Sequence, residues 1–274
     1  MGFSLRVFAL LGLLTGALLF TPASQAKSAS PGVMSGNALV IDVATGRTLY
    51  QKNPNQVRPI ASLTKLMTAV VVLEARQSLG QTLTIDDNDR DRIKSTHSRI
   101  QMGTKVSRRD ALHLALMSSE NRMASALARH YPGGKAAFVR AMNQKARQLG
   151  MRNTRFVDST GLSTRNVSTA RDLAKLVAVA YRQPLIRQFT QDPNREMRFA
   201  KPSYSLMFNN TNPLVKNPDW SVRLSKTGYT NEAGRCLVMR AKPGSRELAI
   251  ILLNAQGKRT PVGDANRIRK WLSS

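Results

Sequence analysis

The sequence predicts an α+β fold: a mainly antiparallel sheet flanked by helices, with a helical lobe inserted between its early and late strands. Three observations carry it. Strand-like segments bounded by turn residues lie near both ends of the chain, within 36–51 and 220–254, with apolar and polar residues alternating from Trp220 to Thr227. The middle third runs in apolar segments of helical length separated by caps. Between the early strands and that lobe lies Leu63 to Leu73, where only Thr64, Lys65 and Thr68 are polar, the composition of a helix buried on nearly all sides.

In chain order, residues 1–26 carry one basic residue, Arg6, and an apolar run from Val7 to Phe20 interrupted only by glycines and Thr15. Small residues at Ser24 and Ala26 complete the pattern of a secretory leader cleaved after Ala26, and the run is short for a bilayer span. Gly36 to Val43 and Arg47 to Gln51 read as a hairpin joined through Ala44-Thr45-Gly46. Pro59 stands just outside the central helix, whose first turn is expected to hold both Ser62 and Lys65.

Leu83 to Ile85 reads as a short strand and Asp86 to Lys105 as an irregular surface excursion. Ser107-Arg108-Arg109-Asp110 resembles a capping box opening a helix through Met117. A break at Ser118-Ser119-Glu120-Asn121 precedes a helix through Ala128. Lys135 to Leu149, closed by Gly150, and a segment opened by Thr169-Ala170-Arg171-Asp172 and ending before Pro184 complete the lobe. Leu206 to Asp219 is a connector rich in Asn and Pro. Strands follow at Trp220 to Thr227, Cys236 to Ala241 and Glu247 to Asn254, the last two turned by Pro243-Gly244-Ser245. Val262, Ala265, Ile268 and Leu272 at helical spacing predict a final helix covering one face of the sheet. The expected organisation is a leader at 1–26 and one domain at 27–274, with an α/β lobe (27–78 and 205–274) and a helical lobe (79–204).

Composition narrows the function. At 274 residues and 42% hydrophobic, the chain is large enough for a full core. Its formal charge is +26, and removing the leader, whose single charge is Arg6, leaves +25. Such an excess attracts polyanions. A nucleic-acid-binding role fits poorly, because aromatic residues are 5%, the basic residues are spread along the chain, and a leader exports the protein. The single cysteine, Cys236, can form no internal disulfide and reads as a buried strand filler. His97, His113 and His130 have no ligand spacing, so no metal site is expected.

The chemistry starts from Ser62 and Lys65. An ammonium in a buried helix, near the positive end of the helix dipole, has its charged form disfavoured. Lys65 is therefore a candidate base for a Ser62 nucleophile. Ser-x-x-Lys alone is more simply an N-cap serine followed by a lysine that reaches solvent, since serine is a preferred N-cap. Two further segments accompany it: Ser119-Glu120-Asn121 at the helix break and Lys226-Thr227-Gly228 on a strand. Ser-x-x-Lys, Ser-Asp-Asn and Lys-Thr-Gly together are the known signature of penicillin-binding proteins and class A β-lactamases, and here the middle element is Ser-x-Asn with Glu120 in the central position.

The chain resembles the low-molecular-mass penicillin-binding proteins, the serine D-alanyl-D-alanine peptidases. Ala61 to Thr68, Asp158-Ser159-Thr160-Gly161-Leu162, Ser168 to Ala174 and Lys226 to Thr230 all look like family segments in family order. The resemblance covers essentially the whole chain after the leader and implies a β-lactamase/transpeptidase-like fold. It implies Ser62 as nucleophile, Lys65 as base and Ser119 as proton relay to the departing amine. Asn121 would hold the substrate amide and orient Lys65, Lys226 would keep the field positive, and Thr227 would bind the substrate carboxylate. Gly228 completes the Lys-Thr-Gly motif, and the backbone amides of Ser62 and Tyr229 would form the oxyanion hole. Arg259, in Gly257-Lys258-Arg259-Thr260, would be a carboxylate-binding arginine; the alternative is a solvent-exposed arginine on a very basic protein.

No cofactor is implied. Carboxypeptidases of the family commonly carry a further β-rich domain and a terminal anchor, so the end of this chain after Leu272 favours the shorter endopeptidase subgroup, the penicillin-binding protein 7 type. A carboxypeptidase is the alternative, and a β-lactamase is disfavoured because Asp158 and Glu120 are weak candidates for driving deacylation. The expected partners are peptidoglycan peptides, β-lactam antibiotics as covalent inhibitors and, peripherally, anionic envelope surfaces. The expected location is the periplasm.

Overall fold

The structure, a computed structural model, describes Met1, Gly2 and residues 30–273. The apolar run and cleavage site of the expected leader lie outside the described residues. Pro31–Ser274 cluster as one compact unit. The chain enters it through strands β1 (Asn37–Asp42) and β2 (Thr48–Lys52), then a two-residue strand β3 (Arg58–Pro59), a 3-10 turn at Ala61–Leu63 and helix α1 (Thr64–Glu74). Short strands β4 (Thr82–Thr84) and β5 (Lys105–Ser107) bracket the polar excursion. Helices α2 (Arg108–Met117), α3 (Asn121–Arg129) and α4 (Gly134–Gln148) follow, then β6 (Val167–Ser168) and α5 (Ala170–Arg182).

The caps read from sequence form. Ser107 Oγ accepts from the Asp110 amide and donates to Asp110 Oδ2, and Thr169 Oγ1 accepts from the Asp172 amide. The segment after Pro184 departs from the expectation. Helix α5 ends at Arg182, before the proline as expected, but Pro184 then opens a further helix, α6 (Pro184–Gln191), because the missing N–H costs nothing at a helix N1 position. A hairpin of β7 (Asn194–Ala200) and β8 (Ser203–Asn209) then occupies part of the expected connector. Its alternation is hard to read because only Met197, Phe199 and Phe208 are buried while the opposite face is polar.

The last third supplies β9 (Val222–Thr230), β10 (Gly234–Ala241), β11 (Leu248–Ala255) and α7 (Thr260–Ser273). The main sheet is ordered β2-β1-β11-β10-β9, with all neighbours antiparallel, so early and late strands meet at β1·β11. Central β11 is buried on both faces and reads as a continuous apolar run. Ile251 and Leu253 join the core shared with α1, α2, α3 and α5, and Ile250 and Leu252 join Trp220, Ala265 and Ile268 beneath α7. The terminal helix covers one sheet face, and α1 packs among α2, α3, α4 and α5. Strand β9 lies at the sheet edge, against the turn that carries Ser62.

Candidate active site

Ser62 precedes α1 rather than sitting in its first turn: it lies in the 3-10 turn, where Ala61 takes a positive φ of 45°. That turn still brings side chains three residues apart into register. Lys65 Nζ lies 2.9 Å from Ser62 Oγ. The same nitrogen donates to Asn121 Oδ1 at 2.7 Å and to the Thr160 carbonyl at 2.8 Å.

The three buried polar residues of α1 share one purpose. Thr64 Oγ1 donates to the Ala61 carbonyl, Lys65 reaches Thr160, and Thr68 Oγ1 donates to the Ser159 carbonyl at 2.7 Å. All three hold the nucleophile turn and the 158–163 loop, whose carbonyls would otherwise be buried without donors. Asn166 fastens that loop: its Oδ1 accepts from the Val157 and Asp158 amides while its Nδ2 donates to Thr64 Oγ1. Gly161, at φ 84°, is required here, since a Cβ would overlap the Ala61 carbonyl. Asp158 spends both oxygens on its own loop, accepting from the Thr160 and Gly161 amides and the Thr160 hydroxyl on Oδ1 and from the Ser163 amide on Oδ2. Glu120 caps α3. Neither carboxylate lines the cavity around Ser62.

The orientation of Asn121 is set from outside the motif. Asp91 Oδ2 accepts from the Thr96 hydroxyl at 2.7 Å and from the Thr96 amide. Partial burial opposes ionisation of Asp91, but donors from Lys94, Thr96 and Ile93 outweigh it and hold the carboxyl below its ordinary value. With its proton committed to Asp91, Thr96 Oγ1 accepts from Asn121 Nδ2 at 3.0 Å, which turns the amide oxygen toward Lys65.

Burial pulls the Lys65 ammonium down from 10.5 to about 7, against the opposing fields of Asp158, Glu120 and Asp91. Lys226 is pushed well below the ordinary lysine range by burial and then by the charge of Lys65, and its ammonium donates to the Thr227 carbonyl at 3.0 Å. Two buried amines thus compete for charge, so a negative group is needed to hold Lys226 as the cation expected of it.

Along β9, Gly228 lets the backbone pass the nucleophile: a Cβ there would stand 3.0 Å from the Ser62 amide nitrogen. Thr227 Oγ1 donates to Thr211 Oγ1 at 2.6 Å, and the Tyr229 hydroxyl donates to Asn231 Oδ1. Ser62, Ser119, Asn121, Thr227, Gly228, Tyr229 and Arg259 line one cavity of about 820 Å³. Ser119 reaches it from a strained backbone at φ 63°. Cys236 is buried and its thiol is pushed up to about 11 by desolvation, the setting of an inert filler. Among the described residues no three His, Cys, Asp or Glu side chains gather as a metal site would need.

Sequence reasoning missed Asp91, Thr96, Asn166, Thr211 and Arg235. Thr96 and Asp91 lie in a stretch without periodicity, and Thr211 in a connector chosen only for its turn residues. No local signal separates them from surface polar residues.

The sequence pattern of the family described as D-alanyl-D-alanine carboxypeptidase matches residues 24–257. The chain is 47% identical to a D-alanyl-D-alanine endopeptidase of Escherichia coli (strain K12), over 94% of this chain and 85% of that one. It is 51% identical to a D-alanyl-D-alanine endopeptidase of Pseudomonas aeruginosa PAO1, over 88% and 77%. The crystal structure of the Streptomyces K15 DD-transpeptidase superposes with a TM-score of 0.81 at 28% identity, covering 89% of this chain and 98% of that one. The fold is therefore that of the penicillin-binding DD-transpeptidases, and the chain belongs to the D-alanyl-D-alanine carboxypeptidase family of serine peptidases, family S11.

Proposed function

We propose that the protein is a serine D-alanyl-D-alanine endopeptidase that hydrolyses crosslinks between peptidoglycan stem peptides through an acyl-enzyme on Ser62. The observation that carries the chemistry is the valence of Lys65. A neutral amine has two N–H donors and one lone pair, and Asn121 Oδ1 and the Thr160 carbonyl are acceptors that engage both donors. The lone pair is left for the Ser62 hydroxyl at 2.9 Å.

Ser62 Oγ attacks the carbonyl carbon of the D-alanyl residue while its proton passes to Lys65 Nζ. The carbonyl oxygen becomes an oxyanion between the Ser62 and Tyr229 amides, where Gly228 permits close approach. Breaking the C–N bond releases the amine of the leaving strand, which takes its proton through Ser119. Water then attacks the ester, its proton returns by way of Lys65, and Ser62 recovers its hydroxyl. A substrate carboxylate at Thr227 and Arg259 restores the positive charge on Lys226 that burial alone disfavours.

The choice of crosslink over terminal D-alanine is supported by the names of the relatives, not by length, since this chain spans a larger share of a DD-transpeptidase than of either endopeptidase. Mass analysis of products decides it. Conversion of crosslinked dimers to monomers is expected, and loss of only a terminal D-alanine would establish the carboxypeptidase instead. Labelled penicillin is expected to mark wild type and not Ser62→Ala. The leader pattern supports export to the periplasm, and the +25 charge supports peripheral contact with anionic envelope surfaces.

A further inference from the structure

We propose that Arg235 and Lys258 form a second anion subsite, which grips a carboxylate carried by the leaving peptide strand, distinct from the carboxylate held at Thr227 and Arg259. This rests on the endopeptidase reading above.

The cavity at Ser62 holds about 820 Å³, within the range that encloses a drug-sized ligand and far beyond one terminal alanine. Its lining contains three cations, Arg235, Lys258 and Arg259, and no Asp or Glu. Among the described residues none of the three cations has a carboxylate partner, whereas most of the chain's Asp and Glu side chains are already paired or capped elsewhere. Glu232, at the tip of the same hairpin as Arg235, is held by Lys94 and does not neutralise it.

Arg235 is placed rather than merely exposed. It faces Tyr229 across the β9·β10 ladder, with its guanidinium carbon 3.7 Å from the ring centroid. Stacking fixes the plane of the guanidinium and leaves its edge N–H groups free, the arrangement that suits bidentate binding of a carboxylate. Pro213, Pro261 and Val262 give the same cavity an aliphatic wall for the methylenes of a diamino residue. A terminal D-alanine presents one carboxylate and nothing beyond it. A crosslink presents one beside the scissile bond and others along the strand that departs. The unpaired cations therefore select the second kind of substrate.

The test uses a stem-peptide dimer of defined structure, in which the carboxylate beside the scissile bond is always free and the more distant leaving-strand carboxylates are either free or amidated. Titrated onto Ser62→Ala protein, which binds without turnover, the free-carboxylate dimer is expected to lose affinity about tenfold when Arg235→Gln and Lys258→Gln are added. The amidated dimer is expected to bind weakly and equally to both proteins. Equal affinity of the two proteins for the free-carboxylate dimer, or no effect of amidation on the protein retaining both cations, would overturn the proposal. Thermal melting of each variant shows that the comparison is between folded proteins. Failure of the endopeptidase reading shows separately, as wild-type protein that is labelled by penicillin but leaves dimers uncut.

Discussion

Asn121 turns its oxygen, not its nitrogen, toward Lys65, at 2.7 Å. The choice is made by Thr96, whose hydroxyl already donates to Asp91 and can only accept from the Asn121 amide. Lys65 is consequently surrounded by acceptors on two sides and by the nucleophile on the third.

Replacing that oxygen by a charge tests the arrangement. Asn121→Asp places a carboxylate beside the amine and favours its ammonium form, so the midpoint of penicillin acylation should move upward by about 1–3 pH units. An unmoved midpoint would mean that Lys65 is not the group whose ionisation controls acylation.

In the wild-type protein the base must be uncharged, and Lys65 titrates at about 7. Acylation is expected to fall about tenfold per pH unit below that value and to level off above it. Lys65→Ala should abolish acylation at every pH with circular dichroism unchanged; normal labelling of that variant would remove the lysine from its assigned role.

Thr96→Val deletes the acceptor that orients Asn121 without touching the cavity. Misplacement of this kind is expected to slow acylation by up to about a hundredfold. Thr96→Ser, which keeps the hydroxyl, should restore most of the rate; if valine and serine behave alike, the orientation is set elsewhere.

Ser119→Ala should lower kcat by about a hundredfold or more while KM changes little, as loss of a proton relay requires. A change confined to KM would make Ser119 a binding group only.

Gly161→Ala forces a methyl onto the Ala61 carbonyl. It should destabilise the protein by about 3 kcal/mol, read as a lower unfolding midpoint in denaturant. At Gly228 the clash is milder, with the added carbon 3.0 Å from the Ser62 amide nitrogen. Gly228→Ala should therefore fold and acylate slowly, and unimpaired acylation would show that β9 need not approach the nucleophile so closely.

Much of this molecule is legible before folding. The three polar residues in the otherwise apolar stretch from Leu63 to Leu73 single out Lys65, because a buried ammonium has to have a reason. The caps at Ser107 and Thr169 and the alternation at the start of β9 follow from rules that act over a few residues. What the sequence leaves unread is also local. Helix α5 ends at Arg182, before Pro184 as the sequence predicts, but nothing in the sequence shows that Pro184 opens α6, and the β7·β8 hairpin escapes because three buried side chains make too faint an alternation. The sequence predicts Ser62 inside the helix because a spacing of three does not distinguish an α turn from a 3-10 turn.

What the chain order could not reveal is the environment of each chosen group. Lys65 meets the Thr160 carbonyl 95 residues away and Asn121 56 residues away, and Thr211 comes to Thr227 from a connector without periodicity. A residue type and a spacing can nominate a nucleophile and a base. Whether the amine is neutral, which way an amide faces, and which cations are left without a carboxylate depend on dehydration and on donors and acceptors brought together through space, and only the packed tertiary structure decides those.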